Sequence, residues 1–319
     1  MPLRHQFVGG GFLRMMHAGL RYFAAVARCG SIREAAEELH VAQSALSRQV
    51  QKLEEELGAP LFQRHSRGVE LTSAGEILLG YAQTSLRQVE RVRSEVDALK
   101  GLRRGVVHVS AIESLVSHLL PEVIARFGRR HPGIQFDIAI EGSDRVLTSV
   151  REGRTDIGLT FHPPADPEFA TAFKVRAPLL AVMSSQHPLA GRPRVSLADC
   201  AAYPIALPMG NTGSGTLIDL ACKAAGVHIK PVLQVNSIPL RLAFLRDNNG
   251  ITFLPRLSAW DSLRTGALAG VALRDRLVNT GTIDAVTHIS RQLPVAAEEF
   301  LRAVQAELQN LQMATPIMA

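Results

Sequence analysis

Between residues 20 and 99 apolar side chains return every three or four positions, and from residue 105 onward short unbroken apolar runs alternate with such helical stretches. Leu20, Phe23, Ala24 and Ala27 predict a first helix that Gly30 ends. Ser31 and Glu34 then stand in the S-x-x-E spacing that satisfies free amides at a helix start, and Ala35, Ala36 and Leu39 give that second helix its apolar face. His40 and Val41 leave room only for a tight turn. From Gln43 a third helix carries Leu46, Val50, Leu53 and Leu57 as one stripe, which leaves Gln43, Ser44, Ser47, Arg48, Gln51 and Lys52 on the other face. Gly58 and Pro60 stop it. The β-prone runs LFQR and VELT, joined by residues 65–68, predict a hairpin. Thr72 or Ser73 caps the next helix, in which Leu78, Ala82, Ser85, Val89, Val92, Val96 and Leu99 form a seam kept over three heptads.

Beyond the short stretch 101–105, which reads as a hinge, the pattern changes. VVHVSAI, IQFDIAI and DIGLTF read as buried strands, with helices predicted over 115–127 and 146–152 between them. A second series follows: LLAVMS, PIALP, a helix over about 215–225, PVLQV, a helix over 240–246, and ITFLP. Alternating strands and helices imply a parallel sheet with helices on its faces. The C-terminal helix, with Phe300, Leu301, Val304, Leu308 and Leu311 on one face, is expected to return to the first lobe.

Composition narrows the function classes. The chain has 319 residues, 46% of them hydrophobic, enough for about two domains. It has no apolar run of membrane-spanning length, and its N-terminus lacks the apolar core and cleavage site of a signal peptide, so a cytoplasmic location is expected. Cys29, Cys200 and Cys222 lack metal-ligand spacing; buried inert thiols are expected, with a Cys200–Cys222 redox pair as the alternative. The formal charge is +6. Residues 1–104 hold 15 basic and 11 acidic residues, so the smaller part carries most of the excess. That suits a head for a polyanion.

Three helices followed by a basic hairpin make a winged helix-turn-helix whose third helix can enter a major groove. Arg and Gln can each make two parallel hydrogen bonds to one base edge, Arg to guanine and Gln to adenine. Gln43, Ser44, Ser47, Arg48 and Lys52 are therefore the candidate base and phosphate contacts. Arg64 and Arg67 on the wing would reach phosphates or a minor groove. The competing readings are an ordinary helical hairpin with a solvated face and two arginines in a solvated loop.

LRYFAAVARCGSIREAAEELHVAQSALSRQVQKLEEELGAPLFQR followed by LTSAGE resembles the DNA-binding region of the LysR-type transcriptional regulators. Ala42 departs from the serine most often found there, and alanine is a poor N-cap. The resemblance implies a linker helix that pairs with its copy in a second subunit, placing two reading helices on an inverted-repeat site in double-stranded DNA. Packing of that seam on the chain's own second domain is the alternative. LLPEVIARFGRRHPG and SQHPLA extend the similarity to the family's effector domain, two Rossmann-like α/β lobes similar to periplasmic solute-binding proteins. The organisation expected is a disordered extension over 1–14, with Met1, Met15 and Met16 all open as starts, and a winged helix-turn-helix over 15–72. A linker (dimerisation) helix and hinge over 73–104 and an effector-binding domain over 105–319 follow. Its first lobe would span about 105–178 and 281–312, its second about 179–280. A homodimer or homotetramer and a small-molecule effector are the implied partners, and RNA polymerase is a further candidate.

Ligands of open parallel sheets sit outside the carboxyl ends of strands, against helix N-termini. Three hydroxyl-rich helix starts lie there: SAIES with Ser110 and Ser114, EGSD with Ser143 and Asp144, and MGNTGSG with Asn211, Thr212 and Ser214. His162 follows the third strand and could add a donor. Ser110, Ser114, Ser143, His162, Asn211 and Thr212 are the candidate effector contacts, set against the reading that the hydroxyls only cap helices. GNTGSG is neither a phosphate loop nor a dinucleotide fingerprint, and no G-x-S-x-G or H-E-x-x-H occurs. No enzyme activity, metal or cofactor is expected. The runner-up function is a cytoplasmic solute-binding module without gene regulation.

Overall fold

The computed structural model describes residues 11–65, 68–98, 105–209, 212–247 and 249–313. The chain divides into two compact units, Met1–Arg93 and Ser94–Ala319.

In the first unit α1 (Gly11–Cys29), α2 (Ile32–Glu38) and α3 (Gln43–Leu57) precede a hairpin of β1 (Phe62–His65) and β2 (Gly68–Leu71) and the start of the long α4 (Ser73–Ala98), whose last residues, from Ser94, are counted with the second. α1 starts at Gly11, inside the stretch expected to be an unstructured extension, because Leu13, Arg14, Met15 and Met16 are strong helix formers. Gly30 ends it at φ 64°. Ser31 Oγ caps α2 through the Glu34 amide, whereas Ala42 supplies α3 with no side-chain cap. Ala25, Val26, Ala35, Ala36, Leu46 and Val50 close the core between the three helices. Leu20, Phe23, Leu53, Leu61 and Ala82 form a second cluster that ties α4 to them. Thr72 rather than Ser73 caps α4, its hydroxyl accepting the Gly75 amide at 3.0 Å.

That second cluster revises the seam on α4. Ala82 is fully buried in the unit's own core and Leu78 packs against it. Among the described residues the large apolar side chains left in solvent on α4 are Ile77, Tyr81, Val89 and Val92; Val89 and Val92 belong to the expected seam, whereas Ile77 and Tyr81 each stand one position before its Leu78 and Ala82. The Val96 side chain and Leu99 lie outside the described residues.

The second unit holds two lobes. The first comprises β3 (Gly105–Ala111), α5 (Leu119–Arg130), β4 (Ile134–Ile140), α6 (Ser143–Arg151), β5 (Ile157–Phe161) and β6 (Phe169–Arg176). The chain then builds the second lobe from β7 (Leu179–Ser184), β8 (Arg194–Val195), α7 (Leu197–Cys200), β9 (Ile205–Leu207), α8 (Gly213–Ala225) and β10 (Leu233–Gln234). α9 (Ile238–Asp247), β11 (Ile251–Pro255), α10 (Trp260–Arg264) and β12 (Leu268–Leu273) complete it. β13 (Thr282–His288) and α11 (Val295–Met313) return to the first lobe. The sheets run β4-β3-β5-β13-β6 and β10-β9-β11-β7-β12-β8. β3, β4 and β5 are parallel, as are β10, β9 and β11. β13 and β7 each run antiparallel to both neighbours, so the sheets are mixed rather than purely parallel. α11 lays Phe300, Val304 and Leu308 into the first lobe's core, with the Phe300 ring edge-on to Phe127 at 5.5 Å.

Four strands, β6, β8, β12 and β13, were not expected. The helix expected over 115–127 also starts later: a 3-10 turn, Glu113–Leu115, precedes α5. Pro121 explains the delay, since it has no amide to bond the Ser117 carbonyl one turn back. Among the described residues no helix is long and apolar enough to cross a membrane.

Candidate functional site

Two surfaces collect the candidate residues. On the first unit, burial of Leu46, Val50 and Leu53 turns the opposite face of α3 outward. Gln43, Ser44, Arg48 and Gln51 are exposed there, while Ser47 and Lys52 are half-buried at its edge. Arg64 lies in β1, with its side chain outside the described residues; Arg67 is outside them altogether.

The second surface is a cleft of about 340 Å³ between the lobes of the second unit, at the small end of the roughly 300–1,000 Å³ typical of ligand pockets. Three helices begin at it. Gly142 and Ser143 open α6, Thr212 and Gly213 open α8, and Ile238 opens α9. Thr212 Oγ1 caps α8 through the Gly215 amide at 3.0 Å, whereas α6 begins at Gly142 with no side-chain cap. A Cβ on Gly213 would stand 2.0 Å from the Phe161 carbonyl oxygen, so only glycine lets α8 start against the end of β5.

Of the six candidate effector contacts, Ser114, Ser143 and Thr212 meet in this cleft. Ser110 is fully buried behind it, and its hydroxyl donates to Glu141 Oε2 at 2.6 Å. Ser149 donates to the same oxygen at 2.7 Å, so two hydroxyls hold Glu141 at the rim. His162 is not among the lining residues; it sits just past β5 at φ 46°, its amide bonded to the Thr282 carbonyl. Asn211 lies outside the described residues.

Charged groups that sequence reasoning passed over also line the cleft: Glu113, Glu141 and Arg241, with Asn236 beside them. Glu113 Oε2 accepts the Ile238 amide at 2.8 Å. Arg241, in the first turn of α9, is only 3% exposed, and its Nε and Nη1 have no hydrogen-bond partner among the described residues. Burial pulls its pKa down to about 10, against a smaller upward pull from Glu113. The signal was a lone arginine in the apolar run IPLRLAFL. A larger, more apolar cavity of about 560 Å³ lies beside Trp260, Leu257 and Leu308. Among the described residues none of the buried unpaired polar atoms lines it.

Among the described residues no cluster of His, Cys, Asp and Glu could hold a metal. Cys200 is buried and its thiol is pushed up to about 12, chiefly by burial, which makes it inert.

Two family models match the chain: the bacterial regulatory helix-turn-helix of the lysR family over residues 17–76, and the LysR substrate binding domain over residues 100–309. A RuBisCO operon transcriptional regulator of Allochromatium vinosum is 36% identical over 200 residues, 62% of this chain and 64% of that protein. A protein of the same description from Acidithiobacillus ferrooxidans is 29% identical over 255 residues, 80% of this chain and 82% of its own. The alignment to the first of these relatives thus spans just under two thirds of its length. In fold, the chain is similar to full-length CbnR complexed with its target DNA, with TM-score 0.68 and 24% identity over 91% of this chain and 99% of that one. It is also similar to full-length OxyR C199D from Pseudomonas aeruginosa, with TM-score 0.69 and 22% identity over 93% and 94%.

Proposed function

This chain belongs to the LysR family of transcriptional regulators, and from that premise we propose that it reads an inverted-repeat promoter site in the cytoplasm as a homodimer or homotetramer and answers to a small effector. The observation that supports this most is the reading face of α3. Gln43, Ser44 and Arg48 stand in solvent on a helix whose other side is locked by Leu46, Val50 and Leu53, which is the arrangement a major-groove helix requires. The wing, with Arg64 and Arg67, adds phosphate affinity that carries no sequence information.

The effector sits in the cleft lined by Ser114, Ser143 and Thr212. A ligand touching both lobes favours one mutual arrangement of them over others, and it shifts the protein's state only by that difference in affinity. RNA polymerase is the partner through which DNA occupancy changes transcription.

The test is a titration of the full-length protein against its own upstream intergenic DNA and a scrambled duplex. Arg48→Ala should weaken the intergenic complex by about 1–3 kcal/mol and leave the scrambled one unchanged. An unaltered ratio of the two affinities would show that α3 is not the reading helix.

A further inference from the structure

We propose that Arg241 is the counter-ion of the effector, and that the effector is a small hydroxylated oxyanion, a carboxylate or a phosphate ester. The proposal rests on the reading of the inter-lobe cleft as the effector site, and it adds the chemical class of what enters.

A guanidinium taken out of water loses hydration that only a bound anion or a full set of acceptors restores. Arg241 has neither. It is 97% buried by the 3% exposure of its surface, it lines the cleft, and two of its three nitrogens donate to nothing among the described residues. The acid nearest to it in effect, Glu113, spends one carboxylate oxygen on the Ile238 amide and makes no ion pair with the arginine among the described residues. A cation held this way is a site prepared for charge that arrives from outside.

The remaining lining fixes the rest of the ligand. α6 starts at Gly142 without a side-chain cap, and the starts of α8 and α9 face the same space. Helix N-termini carry free amides and a partial positive charge, both of which favour an anion. Glu113 and Glu141 stand on the other side of the balance: they repel a second negative group and accept hydrogen bonds from hydroxyls. Ser114, Ser143 and Asn236 add neutral polar partners. A molecule with one oxyanion end and a hydroxyl-bearing remainder meets all of these, and the cleft volume of about 340 Å³ limits it to a small metabolite.

Three probes that share one carbon skeleton separate the possibilities: glycerol phosphate, glycerate and glycerol, each titrated into the full-length protein at constant ionic strength while its melting temperature is followed. The expected result is a rise in melting temperature with one or both anions and none with glycerol. A rise with only one anion identifies phosphate or carboxylate as the chemistry. Arg241→Met, which keeps the volume and removes the charge, should weaken the anion roughly ten- to a hundredfold. Without ligand that variant should melt no lower than wild type, because it removes an uncompensated buried charge. Glu113→Gln should bind the anion more tightly than wild type, and this holds as a test even if Arg241→Met does not fold. The proposal is overturned by equal shifts with glycerol, by no shift with either anion, by an undiminished shift in Arg241→Met, or by a Glu113→Gln variant that binds the anion no better. A glycerol shift alone would overturn the anion while leaving the cleft as the effector site. Loss of the DNA-binding reading would instead appear in the intergenic titration, which needs no ligand.

Discussion

Glu113 and Ile238 join the two lobes: the carboxylate just after β3 in one lobe accepts the first amide of α9 in the other, at 2.8 Å. The same acid biases Arg241 one helical turn further on. It therefore does two things, capping a helix it does not belong to and supplying negative charge that acts on the buried arginine.

Replacing it separates the two roles. Glu113→Ala leaves the Ile238 amide without an acceptor and removes a negative charge that acts weakly on Arg241, and a drop of about 1–3 kcal/mol is expected. Glu113→Gln keeps a carbonyl acceptor and should lose much less. Urea unfolding of both variants checks the order; equal losses would mean that charge, not the cap, is what the acid contributes.

Gly213 sets how closely the lobes approach at the cleft. Gly213→Ala places a methyl 2.0 Å from the Phe161 carbonyl, so α8 and β5 must separate. A loss of about 1–3 kcal/mol is expected, along with a weakened ligand response. Gly191→Ala, where the added carbon meets nothing within 4 Å, should be close to neutral by the same thermal melt.

The exposed Ile77, Tyr81, Val89 and Val92 are expected to bury against a second copy of α4. Val92 is 60% exposed in the single chain, so Val92→Asp should change the chain's own stability by no more than about 0.5 kcal/mol. In an interface it would bury an unpaired carboxylate, costing several kcal/mol. Sedimentation should then show a smaller species that melts normally. An unchanged oligomer would place the subunit contact elsewhere.

His187 gives an acid limb to stability. Its Nε2 pairs with the Asn249 carbonyl at 3.1 Å and its Nδ1 accepts the Leu189 amide at 3.1 Å, which requires the neutral ring. Burial lowers its pKa, partly offset by the bond to Asn249. The folded state therefore binds this proton less readily than the unfolded one. Stability is fully present above the unfolded value of about 6.5, falls as pH drops below it, and levels off under the lowered folded pKa. His187→Gln should flatten part of the melting-temperature slope in that window. His288, also lowered mainly by burial, should preserve the remainder; a slope untouched by the substitution would assign it to other groups.

Features held by local contacts were legible along the chain. The spacing of Leu46, Val50 and Leu53 decides which face of α3 is buried and hence that Gln43, Ser44 and Arg48 are not. Ser31 and Gly30 mark helix ends through neighbours three or four residues away. Even Ser114, Ser143 and Thr212 could be chosen in advance, because each opens or precedes a helix after a recognisable strand. Features that depend on residues distant in the chain were not. Leu78 and Ala82 lie on the apolar side of α4, yet whether that side meets the unit's own core or a second chain depends on Leu20, Phe23 and Leu61. β13 enters the middle of the first sheet from beyond the whole second lobe, pairing Ile283 with Phe161, a register no local period encodes. The charge of the cleft is settled the same way: Arg241 reads as one polar residue in an apolar helix, and only packing against groups as distant as Glu113, 128 positions earlier, buries the guanidinium with two of its three nitrogens unpartnered among the described residues.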